Sequence, residues 1–164
     1  MEMDSLRKLY VDELKDLYSA EKQILQALPR MAKKTKNAQL KKAFETHVEE
    51  TRVQVERLDK IFELLGKSSR GKKCKGMEGL LEEGKEMMQE DMEPEVMDAA
   101  LIASAQKVEH YEIAGYGTVR TYAELLGHGE HATLLERSLN EEEETDERLT
   151  ELAESHINEE ALVR

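Results

Sequence analysis

The sequence predicts an all-α fold, a four-helix bundle, and three observations lead there. Charged residues make up 37% and apolar residues 39% of the 164 positions, with two prolines and 4% aromatics, a composition that favours helix over sheet. Along four long segments apolar residues recur at alternating steps of four and three, the stripe of a bundle helix. Short breaks follow the first and third segments and a long one follows the second. The length suits one domain spanning 1–164.

The first helix is expected over about 4–35, with Tyr10, Leu14, Leu17, Glu21, Ile24 and Leu28 on its stripe. Pro29 should bend it or end it early, because proline lacks a backbone donor and clashes with the preceding turn. Asn37 suits an N-cap for the second helix, about 38–66, which carries Leu40, Phe44, His47, Thr51, Gln54, Leu58, Ile61 and Leu65 before Gly66 stops it. Residues 67–93 read as a crossover: a basic Gly/Ser segment with Cys74, then a short amphipathic helix from Met77 to about Glu90. Pro94 opens the third helix, about 94–126, with Ile102, Ala105, Glu109, Glu112, Tyr116, Val119 and Ala123 facing inward. The fourth, about 129–157, places Leu135, Leu139, Glu142, Asp146, Leu149 and Ala153 on one face. Two antiparallel hairpins joined by a long second-to-third crossover give the ferritin-like order; up-down-up-down is the alternative.

Polar residues interrupt these stripes near the middle of each helix. Glu21 stands on the first, His47 on the second with Glu50 beside it, Glu109 and Glu112 on the third, and Glu142 and Asp146 on the fourth. In an antiparallel hairpin, paired positions sum to a constant. Glu112 with Glu142, and Glu109 with Asp146, both place a turn at Gly127, and Glu21 with Glu50 places one near Lys36. The acids therefore share one height. Clustered carboxylates out of water repel one another, and an unpaired buried charge costs several kcal/mol. Raised pKa values, water or two divalent cations are the available remedies. Carboxylates from facing helices are how bundles build di-iron or di-manganese sites, normally with Glu-x-x-His on two helices. This chain has His47-x-x-Glu50 and Glu142-x-x-x-Asp146 instead, a set poor in nitrogen. His110 points to a different face from Glu109, and Tyr116 lies one turn beyond Glu112.

The segments LKDLYSAEKQILQALPRM (Leu14 to Met31), HVEETRVQVERL (His47 to Leu58), VEHYEIAGYGT (Val108 to Thr118) and NEEEETD (Asn140 to Asp146) resemble the YciF/YciE group of bacterial ferritin-like stress proteins. The resemblance spans about Leu6 to Glu154. It implies a ferritin-like bundle, commonly dimeric, related in fold to rubrerythrin and associated with stress responses. It supplies no established reaction.

The net charge of −12 argues against nucleic acid or an anionic membrane as partner. A single cysteine precludes an intrachain disulfide, no run is long enough to span a membrane, and Met1 to Asp12 lacks the apolar core of a signal peptide, so the cytoplasm is expected. Cys74, amid Arg70, Lys72 and Lys73, reads either as an incidental thiol in a solvated loop or as a reactive one activated by its basic neighbours. Two functions compete. The first is a di-metal oxidoreductase in which Glu50 and Glu142 bridge two iron or manganese ions, Glu21 and Glu109 cap them, Glu112, Asp146 and His47 are the additional ligands that the resemblance implies, and peroxide or oxygen reacts. The second is a metal-free, dimeric stress protein acting through protein interactions. Cage-type iron storage is the weakest reading.

Overall fold

The computed structural model describes residues 5–163. The predicted first helical residue, Asp4, and the head of the stretch read as lacking a leader, Met1 to Asp4, lie outside the described residues.

Helix α1 (Leu6–Lys34) starts where the Ser5 hydroxyl accepts the Lys8 N–H at 3.3 Å. It does not stop at Pro29. The exposed proline costs the helix about 3 kcal/mol, and burial of Leu28, Met31 and Ala32 around it offsets that loss. Helix α2 (Ala38–Leu65) is capped by Asn37, whose Oδ1 accepts the N–H groups of Gln39 and Leu40 at 2.9 and 3.0 Å. Gly66, at φ 63°, ends it in a left-handed conformation that a Cβ would disfavour.

The crossover holds α3 (Lys75–Met88), which packs against α1 and α4. Cys74 caps it, accepting the Met77 N–H at 3.4 Å, and is 1% exposed. Its Sγ lies 3.0 Å from the Tyr111 hydroxyl, which donates to Asp16 at 2.7 Å. Burial pushes the thiol pKa up. Cys74 is thus neither of the two thiols expected, solvated or activated: tertiary contacts with α1 and α4 remove it from its basic loop.

Helix α4 (Pro94–Leu125) has proline in its first turn, and Gly127, at φ 79°, makes the tight link to α5 (Gly129–Leu152). A π-helical turn, Ala153–Ile157, and α6 (Asn158–Leu162) prolong that last run beyond the expected end near 157.

Helix α1 neighbours α2 and α4, and α5 neighbours α4 and α2, so α2 and α4 lie diagonally. Two apolar clusters fix the directions. One gathers Tyr10, Leu14 and Leu17 of α1 with Leu58 and Ile61 of α2, Tyr116 and Val119 of α4, and Leu135 of α5. The other gathers Ile24 and Leu28, Leu40 and Phe44, Leu101 and Ile102, and Leu149. Helices α1 and α5 therefore run one way and α2 and α4 the other, with every neighbouring pair antiparallel. This is up-down-down-up, and the up-down-up-down alternative is excluded. Among the described residues no helix is long and apolar enough to cross a membrane.

Candidate metal centre

The gap between the two apolar clusters is where the stripes turn polar. In α1 it falls between Leu17 and Ile24, where small Ala20 is the one cluster member beside Glu21, in α4 between Val108 and Tyr116, and in α5 between Leu135 and Leu149. Glu21, Glu112 and Glu142 are 0% exposed there, Glu109 1% and His47 2%, so four helices each deliver an ionisable group into one dry layer.

These five side chains form two triads that share a member. His47, Glu109 and Glu142 offer ligand atoms within 4.8 Å of one another, as do Glu21, Glu112 and Glu142. His47 Nε2 lies 3.0 Å from Glu109 Oε1 and 3.9 Å from Glu142 Oε2. Neither imidazole nitrogen makes an aligned hydrogen bond, nor does either carboxylate oxygen of Glu21, Glu112 and Glu142, nor Oε2 of Glu109. The Tyr116 hydroxyl, also buried, is likewise without an aligned partner.

The electrostatics follow from burial. Burial pushes Glu21 up to about 7, against the pull of Glu112 hydrogen bonding and of His47. It raises Glu112 and Glu142 well above the usual carboxylate range, and adjacent acids add to both shifts. Burial is the largest influence on Glu109 and works to raise it, but His47, a hydrogen bond with Glu142 and the more distant His110 together outweigh burial and lower it. For His47 burial opposes the charged form, yet Glu109 and Glu142 together hold its pKa well above the ordinary value. Among the described residues no arginine is a cause of these shifts, and Arg57, between α2 and α5, is engaged by Glu141 through two bonds of 2.6 and 3.1 Å.

Two sequence-predicted ligands stand outside the triads. Glu50 follows His47 by three residues and so turns away from the seam, while Thr51, four residues on, takes the buried position. Glu50 is 31% exposed, with Oε2 3.8 Å from His47 Nδ1. Asp146 is 19% exposed and faces His110 Nε2 at 3.3 Å. Of the expected bridging pair, Glu142 lies in both triads and Glu50 in neither, while His47 and Glu112, expected as additional ligands, each lie in one.

Oxygen-rich triads with one imidazole, an acid common to both and lone pairs left bare are a donor set that fits two divalent cations. The fold and this layer together define a ferritin-like helical bundle with a carboxylate core. The chain belongs to the family described as "Domain of unknown function (DUF892)", whose profile matches residues 5–162. It is 47% identical to Protein YciF of Escherichia coli (strain K12) over 162 residues, 98% of either chain. The fold matches the crystal structure of the E. coli stress protein YciF with a TM-score of 0.91, covering 95% of this chain and 99% of that one. It also matches YcfI of Rhodopseudomonas palustris, at 41% identity and a TM-score of 0.87, over 92% of this chain and 97% of that one. A protein from Xanthomonas campestris matches at 28% identity and a TM-score of 0.73, over 92% and 91%.

Proposed function

We propose that this chain is a stress-response protein that holds two iron or manganese ions, one in each triad, with Glu142 shared between them. The observation that carries this reading is the cluster of buried carboxylate oxygens on Glu21, Glu112 and Glu142 that make no aligned hydrogen bond and face chiefly other acids. Such atoms are costly to bury bare, and cations satisfy both their charge and their lone pairs. When bound, the ions would supply redox chemistry toward a small oxidant such as peroxide or oxygen.

The chain's own residues do the rest. His47 and Glu109 hold one position, Glu21 and Glu112 the other, and the two apolar clusters keep bulk water from both. Tyr116 keeps its proton, because burial and then Glu21 raise its pKa well above the ordinary value, and its hydroxyl is free to donate to a carboxylate. The net charge of −12 supports cations over nucleic acid or membrane as binding partners. A cytoplasmic homodimer completes the proposal.

Anaerobic incubation with Fe(II) or Mn(II), desalting and elemental analysis test it. About two ions per chain are expected, with Glu142→Ala retaining neither. A parent that keeps no metal, indistinguishable from Glu142→Ala, would falsify the reading. A metal-free interaction protein is then favoured, and the observation on its side is the layer's own chemistry: protons on Glu112 and Glu142, with His47 charged beside Glu109, relieve much of the repulsion without ions.

A further inference from the structure

We propose that Glu50 is a loading carboxylate through which divalent cations pass from a surface cavity between α2 and α5 to the buried triads, an inference that rests on the two-ion reading. The cavity measures about 460 Å³, and Thr46, Glu50, Glu144 and Thr145 line it together with Lys42 and Arg148. Of these, Glu50 also reaches the layer. Its Oε2 accepts a hydrogen bond from Thr145 Oγ1 at 3.3 Å, and the same oxygen lies 3.8 Å from His47 Nδ1.

That gap is informative. It is too long for a hydrogen bond, but a divalent ion about 2.1 Å from each atom spans it. His47 is 2% exposed and its Nδ1 makes no aligned hydrogen bond, so a buried nitrogen, which a metal ion would strip of its proton, faces an acid that lines the cavity. Its Nε2 faces Glu109 and Glu142. One imidazole thus has an outer nitrogen toward Glu50 and an inner nitrogen toward a triad. Of the two cavity cations, Arg148 is occupied by Glu151 at 3.2 Å, which leaves Lys42 against Glu50 and Glu144. Glu50 is 31% exposed while the five triad residues are at most 2% exposed, a difference in depth that suits transfer better than permanent ligation.

Cobalt(II) uptake under anaerobic conditions, followed by stopped-flow absorbance and equilibrium titration, tests this. Glu50→Gln keeps the shape and removes the charge. It should load about tenfold more slowly or worse, the scale by which a charged cleft accelerates ion capture, while reaching the parent's final stoichiometry. Thr145→Val, which frees the carboxylate to swing away, should slow loading by a smaller factor. The route is overturned if Glu50→Gln loads at the parent rate, if its final stoichiometry drops, which would make it a ligand, or if Asp146→Asn slows loading and Glu50→Gln does not. A parent that binds no cobalt at equilibrium overturns the two-ion reading as well, so the two failures are distinguishable.

Discussion

At the scale of single residues, the two-ion reading makes the acids of the layer a liability to the empty protein and an asset to a loaded one. Replacing Glu21 by Leu should raise the melting temperature in the presence of a chelator, by the equivalent of about 1–4 kcal/mol, since an apolar group of similar size removes a buried charge. The same variant should retain about one ion per chain, because its triad is broken and the other is intact. Calorimetry with and without chelator, beside elemental analysis, reads both, and a destabilised chelated variant would contradict the charge argument. The pH dependence has a definite sign. Glu21, raised from 4.5 to about 7, binds its proton more tightly folded than unfolded, so its contribution is full below 4.5 and is lost as pH rises through about 7. Glu112 and Glu142 are displaced the same way, and His47, raised above 6.5, loses its contribution in the same direction. Glu109, lowered, acts oppositely, losing its contribution as pH falls below its ordinary 4.5. Metal-free protein should therefore melt at progressively lower temperature from about pH 5 to about pH 8. The increment in melting temperature given by Mn(II) should grow over that range, since ligands must shed protons to bind. The sequence made Glu21, Glu109, Glu112 and Glu142 legible because a charge on an apolar stripe is conspicuous. It could not separate Glu50 from His47, since three residues of helix turn a side chain far enough to leave the seam while the stripe itself is broad.

At the scale of elements, local signals located the helices and tertiary contacts set their details. The cap at Asn37 and the stop at Gly66 follow from residue chemistry alone. Less visible was what holds the first hairpin. Asp98 of α4 accepts the N–H groups of Lys36 and Asn37 at 2.9 and 2.8 Å, which ties the α1–α2 link to a helix more than sixty positions away. Asp98→Ala should cost about 1–3 kcal/mol in chemical denaturation, because two backbone donors lose their acceptor. Asn37→Ala should cost about 1 kcal/mol. A pair of variants with equal, negligible effects would show that solvent replaces both acceptors freely. The π-helical turn at Ala153–Ile157 left no mark in the periodicity, whereas the first helix was expected to about 35 and does run through Pro29, without the early end that the proline allowed.

At the scale of the molecule, connection lengths pointed to the up-down-down-up order, since a crossover of 28 residues, 66–93, permits α2 and α4 to run parallel. Whether it takes that path depends on which faces meet, and the paired apolar clusters supply that. The proposed homodimer has a plain check in sedimentation velocity, where a particle of twice 18.8 kDa is expected and a monomer would remove it. The division of the apolar interior reaches further than the site. Both lobes draw on the same four rods, one of them with α3 and the π-helical turn added, and on the two-ion reading what lies between them is a slab that would cohere well when filled with cations and poorly without them. Backbone amide exchange should therefore report two blocks of differing protection in the stripped protein and a single cooperative unit in the loaded one. Metal would in that case decide how many pieces this protein melts in.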